Sequence, residues 1–111
     1  MNKNTRILSF DVGIVNLAYA IIECNQKQFN VERFDLVDLT CIPHVSVKRW
    51  ECKLCHSNTL HDRLEHFFQE TDFGAVDLVL IEQQPPGGHQ AIEQLLFAKF
   101  RDRARLVSPT S

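Results

Sequence analysis

Two acids stand at the ends of short apolar runs, and as a pair they could do metal-assisted phosphodiester chemistry. Asp11 closes Arg6–Asp11 (R-I-L-S-F-D), and Glu82 closes Val76–Glu82 (V-D-L-V-L-I-E). A carboxylate at the tip of an apolar strand costs desolvation energy unless a partner compensates it. A divalent cation is such a partner. Mg²⁺ takes oxygen ligands, commonly one or two carboxylates completed by water and substrate phosphate, and Mn²⁺ suits the same donors. Two such ions about 4 Å apart clamp the attacking and leaving oxygens of a phosphodiester. Read singly, either acid is equally a strand cap or an arginine partner. The residues after each acid favour joint use: Gly13 and Asn16 supply a turn beyond Asp11, and Pro85–Gly88 (P-P-G-G) supplies a loop beyond Glu82.

The cysteines and histidines form a second cluster. Cys41-x2-His44 and Cys52-x2-Cys55 are separated by seven residues. Thiolate and imidazole ligands so spaced close a tetrahedral structural zinc site, and a loop without apolar periodicity gains order from the metal. His56 and His61 are rival ligands. The alternative leaves Cys41 in the core and the rest on a hydrophobic loop. Cys52–His56 (C-K-L-C-H) also spells a c-type haem attachment signal, which the single methionine and the lack of an export leader argue against. Cys24, at the end of an apolar run, reads as a small buried apolar residue.

Basic and amide side chains supply the candidate nucleic-acid contacts. Lys99, Arg101, Arg103 and Arg105 are opposed locally only by Asp102, and Lys48, Arg49 and Lys53 surround Trp50. Lysine and arginine on phosphates carry sequence-independent affinity, and an aromatic such as Trp50 stacks on an unpaired base. The plainer readings are a solvated helix end and a packed tryptophan. Gln83 and Gln84 come directly after Glu82 and would meet a scissile strand at the metal edge; His89, in the same loop, reads as exposed.

These groups need elements to position them. Arg6–Asp11 reads as a buried strand, and Leu17–Cys24 as its hairpin partner across a short turn. Phe29–Leu39, carrying Glu32, Arg33, Asp35 and Asp38, reads as a solvated edge strand. The stretch 41–57 has no period and reads as a Cys/His-containing insertion loop. From Asn58 to Phe73 the spacing of Leu60, Leu64, Phe67 and Phe68 predicts a helix, with Thr59 and Asp62 as a capping box and Gly74 as its stop. Val76–Glu82 reads as a strand covered on both faces. Ile92, Leu95, Leu96 and Phe100 mark a second helix, with Phe67, Phe68, Phe97 and Phe100 on the core-facing sides. Arg105–Val107 begins another strand. The order is α/β: an antiparallel three-strand meander plus parallel strands in one mixed sheet, with flanking helices. A crossover through Asn58–Phe73 lets the strands ending at Asp11 and Glu82 lie parallel and adjacent.

Composition bounds the rest. The 111 residues form one domain, 44% hydrophobic and 23% charged, which excludes disorder and fibrous classes. No apolar run is long enough to cross a bilayer. No basic-then-apolar leader opens the chain, so an intracellular compartment with reduced cysteines is expected. A net charge of −2 confines any nucleic-acid surface to local patches.

Asp11–Ala20 (D-V-G-I-V-N-L-A-Y-A) and Leu78–Pro85 (L-V-L-I-E-Q-Q-P) resemble the first and second motifs of the RuvC-like Holliday junction resolvases, the mitochondrial and poxvirus–iridovirus branch in particular. Asp11, Gly13, Asn16 and Ala18 sit where that family has them, and the resemblance runs from Arg6 to Arg105. It implies a ribonuclease H-like fold, Mg²⁺-dependent hydrolysis, and a homodimer that cuts four-way DNA junctions. It also implies Asp11 and Glu82 as first and second catalytic carboxylates, and a site of action in the cytoplasm of virus replication, the mitochondrion or the nucleus. The family adds an acidic pair on a C-terminal helix. Here the sequence ends V-S-P-T-S before any such helix and Asp102 is no substitute, so a C-terminally truncated piece of a longer nuclease is expected. Two other classes compete. One is a non-catalytic nucleic-acid-binding module with a zinc knuckle. The other is an actin-like or sugar-kinase phosphate-binding domain, which needs a second lobe and a phosphate loop that Gly87–Gly88 does not match.

Overall fold

The computed structural model describes residues 4–42 and 59–108. His44, Trp50, Cys52, Cys55 and His56 lie outside the described residues, as do Lys48, Arg49 and Lys53. Of the expected zinc cluster only Cys41 is described, and the tryptophan patch lies wholly outside.

The chain runs β1 (Thr5–Asp11), β2 (Leu17–Cys24), β3 (Phe29–Val37), α1 (Leu60–Glu70), β4 (Leu78–Glu82), α2 (Gln90–Lys99) and β5 (Ala104–Val107). The strands make one sheet in the order β3-β2-β1-β4-β5. β1–β2 and β2–β3 are antiparallel, whereas β1–β4 and β4–β5 are parallel. The expected mixed sheet with an antiparallel meander is therefore present, with α1 in the connection that brings β4 parallel to β1.

Period-two alternation decides which face each strand buries. Leu8 and Phe10 of β1, Leu17, Tyr19 and Ile21 of β2, and Val79 and Ile81 of β4 all point into the core. Both helices close that face. Leu64 and Phe67 of α1 and Ile92 and Leu96 of α2 are buried there, Phe67 packing on Tyr19 and Phe100 on Phe10. The opposite face carries Ile7, Ser9, Ala20, Ile22, Leu78 and Leu80 by the same alternation. On β3 that face is open, with Phe34 63% and Leu36 64% exposed.

Several local expectations are corrected. Val76–Glu82 is not covered on both faces among the described residues: Val79 and Ile81 are buried, whereas Leu78, Leu80 and Glu82 are half-buried. Helix α1 stops at Glu70 with Thr71 as its extended C-cap, and Gly74 is not the stop. Phe73 leaves the helix to reach the core, edge-on to both Phe10 and Tyr19. Gly74, with φ +70°, instead turns the chain toward β4, its N–H held by Asp72 Oδ1. Thr59 is the α1 N-cap but makes no side-chain capping bond, so the capping box is not formed. Cys24 is half-buried on the sheet's open side, and Cys41 is exposed, which removes it from the core.

Gly13 is required in the β1–β2 turn by close approach. A Cβ there would sit 2.7 Å from the Asn16 backbone oxygen. Gly13→Ala must open this turn and is expected to cost about 1–3 kcal/mol, measurable by urea denaturation. Tyr19, the only tyrosine, donates its hydroxyl to Asp35 Oδ2 at 3.0 Å beneath the Arg33 guanidinium. Burial first, and then the Asp35 hydrogen bond, push its pKa up from 10.0 to about 12, with Arg33 opposing. The folded value exceeds the unfolded one, so this stabilisation is complete below pH 10 and is lost as pH rises through about 12. Near-ultraviolet titration should show the single tyrosine ionising at higher pH in the native chain than in denaturant, and Asp35→Asn should narrow that gap.

Candidate active site

The parallel ladder joins Ile7 to Leu78, Leu8 to Val79, Ser9 to Leu80 and Phe10 to Ile81. The next residue on each strand is an acid, Asp11 on β1 and Glu82 on β4. Neighbouring strands lie about 4.8 Å apart, so the two acids occupy adjoining positions at one end of the sheet. Phe10 and Ile81 point into the core. Asp11 and Glu82, one residue further, therefore lie on the open side. Asp11 is exposed and Glu82 half-buried. A cavity of about 140 Å³ beside Glu82 is lined by Ser9, Phe10, Leu80, Glu82, Val107 and Ser108.

The loop after Glu82 is tied back to the strand end. Gln83 N donates to Val107 O at 2.8 Å. The Gln84 side-chain amide donates to Glu82 O and Glu82 Oε1, both at 3.2 Å. Its oxygen accepts from His89 N at 3.4 Å. The structure thus brings Gln83 and Gln84 to the acid pair, Gln83 exposed and Gln84 turned onto Glu82.

The basic residues fall elsewhere. Because β4 and β5 are parallel and Val79 pairs with Ala104, Lys99, Arg101 and Arg103 lie toward the end of the sheet opposite Glu82. Lys99 reaches Glu65 at 3.9 Å and lies over the Phe68 ring. Arg103 donates to Val76 O at 3.0 Å. Arg101 and Arg105 are exposed, and Arg105 on β5 pairs in register with Leu80. His61 is exposed and 3.4 Å from Asp62.

Sequence reasoning passed over Glu93. It is only 4% exposed, and its carboxylate accepts from Gln84 N and Gln94 Nε2, both at 2.6 Å. A usable signal was present: Glu93 is the sole acid between Gln83 and Lys99. Among the described residues, no group of three or more histidine, cysteine or acidic side chains is placed to hold a metal ion. The candidate site is the adjoining pair Asp11 and Glu82.

Comparison with solved structures places this architecture. A fowlpox virus resolvase bound to substrate Holliday junction DNA superposes with a TM-score of 0.64 and 19% identity, over 96% of this chain and 62% of that one. The chain has a resolvase-like fold. The fowlpox virus Holliday junction resolvase in a second structure gives a TM-score of 0.56 at 20% identity, over 96% and 63% of the two chains. The yeast mitochondrial Holliday junction resolvase gives 0.53 at 17%, over 95% and 53%. The resolvase-like fold here therefore spans somewhat over half of each neighbour's length. No family model matches the sequence, and no curated protein does. The ribonuclease H-like sheet expected from the two motifs is the one these neighbours share.

Proposed function

We propose that this chain carries the catalytic edge of a divalent-metal-dependent, structure-selective DNA endonuclease of the Holliday junction resolvase type. The observation that carries the reading is the register: parallel pairing through Phe10 and Ile81 sets Asp11 and Glu82 side by side, in a fold shared with resolvases. The donor set fits Mg²⁺ or Mn²⁺, being all oxygen, accessible at Asp11 and fixed at Glu82 by Gln84. When bound, such an ion polarises a phosphodiester and lowers the pKa of attacking water. Asp11 and Glu82 supply the negative charge that recruits it. Gln84 orients Glu82, and exposed Gln83 faces an incoming strand. Ser9 and Val107 line the floor beside Glu82.

Branched DNA is the proposed partner, with exposed Arg101 offered to phosphate at the far end of the sheet, and exposed Arg105, whose guanidinium also donates to the Ala104 carbonyl at 2.8 Å, closer to Glu82 on β5. We further propose that the working unit is a homodimer, since resolving a four-way junction takes two symmetric cuts. A two-ion site takes oxygen ligands beyond this pair of carboxylates, including water and substrate phosphate. None of the described helices is long and apolar enough to cross a membrane.

The test is Mg²⁺-dependent cleavage of a synthetic four-way junction against a linear duplex of the same sequence. It is run with this chain and with any longer product of its reading frame. Selective cutting of the junction supports the nuclease. Tight junction binding by every length tested, with no cutting in Mg²⁺ or Mn²⁺, would instead establish a non-catalytic binding module.

A further inference from the structure

Glu93 is a carboxylate withdrawn from water yet placed beside the loop that leaves Glu82. Taking such a group out of solvent costs several kcal/mol unless hydrogen bonds replace its hydration. Both oxygens are so replaced, at 2.6 Å by Gln84 N and at 2.6 Å by Gln94 Nε2. Gln94 is its neighbour on the same helix. Gln84 is not: it belongs to the loop, so this bond crosses from α2 to the residue two beyond Glu82. The helix favours the arrangement, because Glu93 lies in its first turn, where the positive end of the macrodipole steadies an anion.

The chain of contacts continues. With its backbone held by Glu93, Gln84 folds its side chain back, and Nε2 reaches both the carbonyl and the carboxylate Oε1 of Glu82. The same amide's oxygen takes the His89 N–H and so closes the loop on itself. Nothing else among the described residues is hydrogen-bonded to the Glu82 carboxylate. Its orientation therefore depends on one glutamine, and that glutamine's on a buried acid nine positions further along the chain. We propose that Glu93 is a positioning residue: it holds the Gln84 backbone so that the Gln84 amide fixes the Glu82 carboxylate at the sheet edge. The inference rests on the reading of Asp11 and Glu82 as a metal-recruiting pair, and assigns that pair its supporting groups. Outer groups of this kind typically change metal affinity about 10- to 100-fold when removed.

The test uses the full chain with Mn²⁺ alone as the probe, binding being followed by loss of the free-ion paramagnetic signal. Nuclear magnetic resonance follows hydrogen exchange at Gln84 N and the order of its side-chain amide. Glu93→Ala and Gln84→Ala should each weaken Mn²⁺ binding about tenfold or more. Glu93→Gln keeps an acceptor for Gln84 N and should restore most of the affinity. Leu96→Ala, which cuts the α2 core contact without touching the loop, should lower stability and leave Mn²⁺ affinity unchanged. In Glu93→Ala the Gln84 amide should also lose its exchange protection and its side chain its order. The proposal is overturned if Gln84 stays protected and ordered in Glu93→Ala. It is equally overturned if Gln84→Ala binds Mn²⁺ like the parent while Asp11→Asn abolishes binding. Should Asp11→Asn and Glu82→Gln leave Mn²⁺ binding untouched, the metal-pair reading is what fails, and the Gln84 amide then decides the role of Glu93 without reference to metal.

Discussion

Asp11→Asn is expected to leave the fold intact while reducing divalent-ion binding, and any junction cleavage, by more than about 100-fold. The magnitude comes from rank: outer-shell groups alone are worth about 10- to 100-fold, and a direct ligand is worth more. Stability should barely move. Asp11 is exposed and has no side-chain hydrogen bond or ion pair among the described residues, and such substitutions usually stay within about 0.5 kcal/mol. Asparagine keeps the volume and one oxygen but removes the charge, so a large loss in binding at constant thermal midpoint would isolate electrostatics. Glu82→Gln should behave alike, because glutamine retains an oxygen to accept from Gln84. Calorimetric Mn²⁺ titration together with thermal unfolding reads both quantities on one sample.

Phe10→Ala is expected to be the most damaging single change to the fold, costing about 3–5 kcal/mol. Phe10 is 2% exposed on β1, with ring contacts to Tyr19, Phe73 and Phe100 at 6.3, 6.1 and 6.0 Å. One side chain thus joins β2, the segment after α1 and the end of α2. Its removal leaves a cavity that three separate elements would have to collapse to fill. It is also the residue before Asp11 and the register partner of Ile81, so relaxation there should loosen the acid pair. Urea denaturation should show a shifted midpoint with an unchanged slope, and divalent-ion affinity should fall with it. A variant as stable as the parent would mean that the aromatic cluster is not what closes this core.

How much of this could be read beforehand depends on what kind of partner each residue has. The strand ends at Asp11 and Glu82 were legible because an apolar run stopped by a charge is a local signal, and their adjacency came from a crossover rule. The hairpin turn at Gly13 and the edge strand at β3 were legible for similar reasons. Phe73 was not. It lies off the face marked by Leu60, Leu64, Phe67 and Phe68, and only the fold gives it a place: the chain leaves the helix after Glu70 and sets the ring edge-on to Phe10 and Tyr19. The two-sided cover expected for β4 failed because continuous apolar sequence reports hydrophobicity, not what lies on top of it. Glu93 escaped notice because its partner is a backbone amide, which carries no residue type to recognise. Lys99 and Arg103 read as a patch in sequence, yet fold contacts to Glu65 and the Val76 carbonyl engage both.

The most direct measurement is the anomalous difference density of a crystal grown with Mn²⁺. If Asp11 and Glu82 act together, a peak should lie at the sheet edge within about 2.2 Å of one oxygen from each, and Asp11→Asn should remove it. A peak bound by only one of the two, or the same density persisting in Asp11→Asn, would contradict the shared site.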